Sequence, residues 1–139
     1  MMTNISMFII NFVFQYVIMS VIMADRIGYI TNSLGKVYLS TLMGLFMVIM
    51  HISMRAFKFV EMVPYIVLFI GVVILYKLQV GIDEKQYVNE MIEHHSMALL
   101  TSRNILEKTE NKPVRELAQR ILDNQKQEIG EMRNVLTHL

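Results

Sequence analysis

The chain has 139 residues, of which 54% are hydrophobic and 18% are charged, and its formal net charge is +1. Because a nearly neutral chain without a basic patch has no electrostatic basis for binding nucleic acid, we predict no such partner. Cysteine is absent, which excludes disulfides, zinc fingers and thiolate metal sites, whereas 13 methionines supply thioether sulfur. Charged residues are concentrated after position 76, so we expect the two halves of the chain to face different solvents.

Three apolar segments are long enough to cross a membrane. The first, Asn4–Met23, has no charged residue, and about 20 helical residues span the roughly 30 Å hydrocarbon core. The second and third are predicted at Val37–Met54 and Met62–Val80. A cleaved signal peptide is the weaker interpretation of the first segment, because no Lys or Arg precedes Arg26. We therefore predict a membrane domain of three helices over residues 1–80, with the lipid bilayer as its partner.

Three spans place the two ends of the chain on opposite sides of the membrane. The short segments on the C-terminal side carry Arg26, Lys36 and Lys77, against Arg55 and Lys58 on the N-terminal side. This difference in positive charge is too small to orient the protein by the positive-inside rule.

Residues 82–139 predict two amphipathic helices exposed to water. Asp83 begins a capping-box pattern, and apolar residues recur at helical spacing over about 83–108. Pro113 marks the start of a second helix, predicted over about 113–137. A short link between two such helices indicates an antiparallel hairpin, so the predicted fold class is all-α. Since two helices cannot enclose a core, we expect the hairpin to oligomerise into a helical bundle or to rest on the membrane part.

One face of the first hairpin helix carries a thioether beside two imidazoles, because Met91, His94 and His95 fall at positions i, i+3 and i+4. Glu128 and Met132 have the matching spacing on the second helix. In an antiparallel hairpin of this length, residues whose numbers sum to about 222 lie level. That register pairs His94 with Glu128 and Met91 with Met132.

Imidazole nitrogen and thioether sulfur with little carboxylate suit Cu(I) or Ag(I) better than magnesium, calcium or a di-iron centre. A di-iron site would need Glu-x-x-His on two helices, and the second helix has no histidine before His138. Zinc is an alternative if Glu128 joins the two histidines. The competing interpretation is that these side chains are ordinary packing and hydrogen-bonded core residues, and spacing alone does not decide between the two.

A second stripe lies within the predicted second span, where Met43, Met47, Met50 and Met54 recur at helical spacing and His51 follows Met50. An ionisable side chain within a span is a functional hypothesis by default. Methionine is also an ordinary gap-filling residue, and His51 lies about one turn from the span end. The stripe therefore supports either a metal path or plain packing.

The hairpin sequence resembles the domain of unknown function 305 family. The resemblance lies in Met91–Leu100 (MIEHHSMALL), Leu117–Ile121 (LAQRI), Gln125, Glu128, Ile129 and Met132. It implies a ferritin-like helical hairpin that is associated with copper or silver binding or resistance, and it favours an extracytoplasmic location. The candidate ligands that it implies are Met91, His94, His95, Met97 and Met132. Many members of that family carry Met where this chain has Thr101, so one thioether is missing here.

We therefore expect a membrane-anchored protein that binds Cu(I) or Ag(I) for metal handling or resistance, and that exchanges the ion with an unidentified donor or acceptor protein. No enzyme activity is predicted, because the chain offers no Ser-His-Asp set, phosphate loop or paired carboxylates. The alternative is a structural membrane protein whose hairpin mediates oligomerisation or partner docking without metal.

Overall fold

The computed structural model describes residues 3–55 and 58–139, and every regular element within those ranges is helical. The five helices are α1 (Asn4–Met23), α2 (Leu34–Arg55), α3 (Phe59–Lys77), α4 (Glu84–Lys108) and α5 (Lys112–Leu136). A 3-10 turn, Ile27–Tyr29, lies between α1 and α2, and a π-helical stretch, Phe14–Met19, lies within α1. The prediction of an all-helical chain is confirmed for the described residues.

Helices α1, α2 and α3 are each long and apolar enough to cross a membrane, as predicted. At most 28% of the most apolar stretch of any of them is buried inside the protein. Most of their apolar side chains would therefore face lipid, and the helical backbone satisfies its own hydrogen bonds, as a bilayer requires.

The observed bounds of two apolar helices differ from the prediction. Helix α2 begins at Leu34 rather than at Val37, and α3 occupies Phe59–Lys77 rather than 62–80. Helix α3 ends early because Gln79 and Gly81 adopt left-handed backbone angles, with φ values of 53° and 72°. The apolar run continues past Lys77, so hydropathy alone overestimates the length of this helix.

In the first compact unit, which comprises the residues up to Met19 together with Leu34–Ile82, α1, α2 and α3 pack around a small core. Val48, Ile52 and Met62 are its buried residues. Helices α1 and α2 approach closely at Gly44, which is buried and lies beneath the ring of Phe8. Small residues allow such close contact between membrane helices.

The second compact unit comprises Ser20–Ser33 and Asp83–Leu139. This division differs from the predicted boundary between residues 80 and 82, because Ser20–Ser33 packs on α4. The two long helices begin where their caps predict: the side chains of Asp83 and Asn111 accept hydrogen bonds from backbone N–H groups in the first turns of α4 and α5.

The core of the second unit lies between α4 and α5. Its buried apolar residues are Val88, Ile92, Leu99, Leu122 and Ile129, with Tyr29, Leu106, Met132 and Leu136 packed against them. Tyr29 comes from the 3-10 turn, and the Arg133 guanidinium lies 4.7 Å from the centre of its ring. The segment Ser20–Ser33 therefore covers part of the apolar surface that two helices alone would leave open.

Candidate metal centre

Two contacts define how α4 and α5 lie against each other, and we refer to these helices as the α4–α5 pair. Near the link, the Arg115 guanidinium donates a hydrogen bond of 2.9 Å to the carbonyl oxygen of Leu106. About three helical turns away, His95 Nε2 lies 2.8 Å from Glu128 Oε2. Both contacts join residues whose numbers sum to nearly the same value, so the helices run in opposite directions.

The ring of His95 is oriented by its own helix. Its Nδ1 lies 2.7 Å from the carbonyl oxygen of Met91, one turn earlier, and must donate a proton to it because a carbonyl only accepts. In a neutral imidazole the second nitrogen, Nε2, then carries the lone pair. Since the facing atom is a Glu128 carboxylate oxygen at hydrogen-bond distance, a proton has to lie between the two.

Glu128 is held in place but remains open to solvent. Its Oε2 also accepts a hydrogen bond of 3.3 Å from the Gln125 amide, one turn earlier on α5. The Glu128 side chain is 47% exposed, compared with 19% for His95. A polar contact that is this open to solvent adds little to stability.

The predicted pairing of His94 with Glu128 is wrong, because His95 takes that place. The His94 side chain is 51% exposed, and its Nε2 lies 3.9 Å from Glu90 Oε1 on the same helix. One residue rotates a side chain by about 100° around a helix, so only one of two adjacent histidines can point at α5. The two histidines and Glu128 therefore do not converge on one point in this structure, as the zinc alternative would require.

The methionines divide into two groups. Met91 and Met132 each lie four residues from His95 and Glu128 respectively, toward the same end of the α4–α5 pair, and so stand level with each other. Both are half-buried, and Met132 packs against the core. Met97 follows His95 by two residues and so lies on a different face of α4.

The structure thus brings His95 and Glu128 into contact, and the antiparallel register places Met91 and Met132 level with each other one turn away. His94 and Met97 lie on other faces of α4. Among the described residues, no group of three or more His, Asp or Glu side chains is arranged to hold a metal ion. The thioethers of Met91 and Met132 are the side chains that would complete a site at His95.

Two polar residues of the same turns of α4 have a structural role that the sequence did not reveal. Glu93 accepts hydrogen bonds from the Ser20 hydroxyl at 2.6 Å and from the backbone N–H of Thr31 at 3.0 Å. Ser96, which is fully buried, accepts one of 2.8 Å from the backbone N–H of Asp25. These bonds attach one face of α4 to Ser20–Ser33 and so leave His95 facing α5. The i, i+3 spacing of Glu93 and Ser96 is the sequence signal that could have indicated this polar face.

The Asp25 carboxylate, in the segment Ser20–Ser33, also contacts α4. Its side chain is 1% exposed, and Oδ1 lies 2.7 Å from Arg103 Nη1 on α4. Arg26 is more distant, with Nε 3.7 Å from Oδ2. A buried carboxylate needs such a partner, so Arg103 is the residue that permits Asp25 to be buried.

Glu90 lies beside the motif on α4, and its side chain is only 14% exposed. Burial raises the pKa of the Glu90 carboxyl; nearby His94 opposes that shift and the Glu93 carboxylate adds to it. Removing a carboxylate from water disfavours its charged form, so neutral pH places this position under electrostatic strain.

Comparison with known proteins relates both parts of this architecture to other sequences. A family model described as "Domain of unknown function (DUF305)" matches residues 75–138. The chain is also 34% identical over 134 residues to "Uncharacterized protein L153" of Acanthamoeba polyphaga mimivirus, covering 94% of this chain and 88% of the viral protein. This chain belongs to the same family as that viral protein. No solved structure matches.

The DUF305 match includes α4, α5 and every candidate ligand on them, which agrees with the resemblance noted from the motif. The similarity to the viral protein covers more of the chain than the DUF305 domain, and with 94% coverage it extends through the apolar helices.

Proposed function

We propose that this protein is a membrane-anchored binder of Cu(I) or Ag(I), and that its ligands lie on the α4–α5 pair of the DUF305 domain. His95 supplies the imidazole, and Met91 and Met132 supply thioethers. Glu128 faces His95 from the opposite helix. The protein would hold and release the ion in metal handling or resistance, without a catalytic step.

The observation that carries this proposal is the environment of His95. Its Nδ1 proton is donated to the carbonyl oxygen of Met91, and its Nε2 is directed at Glu128 Oε2, 2.8 Å away. Metal-binding histidines are oriented in this manner: one ring nitrogen is bonded to the backbone, and the other, here Nε2, would bind the ion in place of the proton that it shares with Glu128.

The donor set supports a soft ion. One imidazole and two thioethers favour Cu(I) or Ag(I), whereas magnesium, calcium and manganese prefer several oxygen ligands. Glu128 is about half exposed and bonded to Gln125, so it stands beside His95 at the solvent side of the proposed site. An ion that binds Nε2 would displace the proton between the two side chains.

Membrane insertion is supported by the contacts within the second unit. Ser20–Ser33 and α4 bond to each other through Glu93 and Ser96, so they must lie on the same side of any bilayer. Exactly two apolar helices, α2 and α3, separate them in the chain, and an even number of crossings returns the chain to the same side. We place this side outside the cytoplasm.

The proposal is tested by anaerobic competition for Cu(I) against a chromophoric chelator, with the full chain in detergent or nanodiscs. Replacing His95 by Ala is expected to weaken Cu(I) binding about tenfold or more, because a ligand is lost. His94→Ala is the matched control, because it removes the adjacent imidazole that points away from α5, and its affinity should stay close to that of the wild type. Met91→Leu with Met132→Leu should also weaken Cu(I) binding, because two thioether donors are lost.

Equal affinities of His95→Ala, His94→Ala and the wild type would overturn the metal proposal. The structural alternative would then gain support from an apolar groove near the link of the α4–α5 pair, lined by Thr101, Ser102, Ile105, Val114, Leu117, Ala118 and Ile121. Leu117 is 50% exposed there, a degree of apolar exposure that suits a helix from a partner or a second copy.

A further inference from the structure

A cavity of about 290 Å³ lies in the first unit, between α1 and the C-terminal end of α2. Met7 lines it from α1, and Met47, Met50, His51, Met54 and Arg55 line it from α2. Four thioethers therefore surround one imidazole. Met43 belongs to the same stripe in the sequence but does not line this cavity, and Met7 lines it although no sequence pattern indicated that.

His51 is the unusual member of this set. Its Nε2 is buried and has no hydrogen-bond partner in the part of the chain that the structure describes. A buried polar atom without a partner costs free energy, and in a helix that is apolar enough to cross a membrane water does not repay that cost. Packing alone would be better served by an apolar side chain, so a ligand for this nitrogen is the simpler explanation.

The chemistry of the cavity selects the ligand class. Thioether sulfur is a weak hydrogen-bond acceptor and carries no proton to donate, so methionines cannot satisfy an anion or the lone pair of an imidazole. Thioethers and imidazole together bind soft monovalent cations, which accept electron pairs from both. The lining residues thus match Cu(I) or Ag(I), and the buried imidazole nitrogen is the strongest electron-pair donor among them.

Arg55 at the rim does not oppose a monovalent ion strongly. Its Nη2 lies 3.7 Å from Glu61 Oε2, so the Glu61 carboxylate faces the Arg55 charge. Exposure also rises toward this end of the helix: Met50 is 40% exposed and Met54 is 82% exposed. The cavity is therefore open to solvent on the side of Met50 and Met54.

We propose that His51, with Met7, Met47, Met50 and Met54, forms a second soft-cation site within the apolar helices. It is separate from the His95 site, since it uses none of the same residues, and it does not depend on the function proposed for the DUF305 domain. Either site can therefore be disproved by experiment without affecting the proposal for the other.

The test uses Ag(I), which binds the same donors as Cu(I) without redox chemistry. The full chain carrying His95→Ala, Met91→Leu and Met132→Leu is placed in nanodiscs with 13C-methyl-labelled methionine and titrated with silver nitrate. We expect one equivalent of Ag(I) to bind and to shift the methyl resonances of Met7, Met47, Met50 and Met54. Adding His51→Leu should abolish that equivalent, and so should adding Met47→Leu with Met50→Leu.

Met43→Leu is the matched control, because Met43 lies on the same helix, is 37% exposed and does not line the cavity. It should leave the stoichiometry and the four shifts unchanged. Circular dichroism of each variant establishes that its helices are retained, and the double Met variant, which keeps His51, covers the case in which His51→Leu fails to fold. The proposal is overturned if Ag(I) leaves these four resonances unshifted, or if it binds equally well to the His51→Leu and double Met variants.

Discussion

His94 and His95 are adjacent in the chain but have opposite environments. His95 is 19% exposed and faces Glu128, whereas His94 is 51% exposed and faces its own helix. The difference follows from the attachment of Glu93 and Ser96 to Ser20–Ser33, which sets the rotation of α4 about its axis. One residue of rotation determines which imidazole is available to a ligand shared with α5.

Glu90 gives a prediction about pH. Its carboxyl has a raised pKa in the folded protein because of burial, so the stability it contributes is present below the unfolded pKa and is lost as pH rises through the folded one. Glu90→Gln removes that loss and should raise the thermal midpoint of the metal-free protein at pH 7 by roughly 1–3 °C. Differential scanning fluorimetry from pH 4 to pH 8 measures it.

The gain should shrink toward pH 4, which is below the ordinary carboxyl pKa of 4.5, because the Glu90 carboxyl is then mostly protonated in both the folded and the unfolded state. Glu110→Gln, on the exposed link between α4 and α5, is the control and should not change the midpoint at any pH. A stabilisation by Glu90→Gln that is the same at pH 4 and at pH 8 would contradict the burial of a charged Glu90.

At the scale of helices, the contact of α1 with α2 depends on Gly44. A Cβ atom at this position would lie 2.7 Å from Phe8 Cδ2 and 3.1 Å from the Phe8 carbonyl oxygen. The ring can turn aside but the backbone cannot, so Gly44→Ala should separate the helices and destabilise the protein by about 1–3 kcal/mol. Unfolding in detergent, followed by circular dichroism, measures the change.

Gly71 is the matched control for Gly44, since it is also within an apolar helix and a Cβ there would meet nothing within 4 Å. Gly71→Ala should be neutral or slightly stabilising, because alanine is the better helix former. If both substitutions had equal effects, helix propensity and not close packing would be the cause.

The local sequence is sufficient to predict where some of the helices begin. Helices α4 and α5 begin within one residue of the predicted positions, because Asp83, Asn111 and Pro113 cap them locally. The start of α3 was predicted less well: the span was expected from Met62, but the helix begins at Phe59 and has Pro64 inside it. Neighbouring groups in a membrane helix can compensate for its missing N–H, and that compensation does not appear in the sequence.

At the scale of the whole molecule, the proposed topology places the link between α4 and α5 opposite the turn that precedes α3. The absence of cysteine makes this testable with single cysteines, because no native thiol competes. In intact cells, Glu110→Cys should react with a membrane-impermeant maleimide, and Lys58→Cys should react only after the membrane is permeabilised. Reaction of both cysteines in intact cells would rule out three crossings.

Contacts between distant parts of the chain explain its division into two compact units. The segment Ser20–Ser33 has the composition of a membrane-surface turn, and nothing local connects it with residues about 60 to 80 positions later. Its contacts with α4 are long-range: Ser20 bonds Glu93, Asp25 pairs with Arg103, and Tyr29 packs on the core. Such contacts depend on the complete path of the chain and are invisible to periodicity.

The sequence by itself determined the all-helical class, the three apolar helices, the bounds of α4 and α5 to within one residue, and the register that sets Met91 level with Met132. These follow from hydropathy, capping and helical period, which are local properties. Only the tertiary structure decided that His95 and not His94 faces Glu128, that Met7 replaces Met43 beside His51, and that Ser20–Ser33 packs on α4. Each of these depends on the rotation of one helix against another, which is set by packing between residues far apart in the chain.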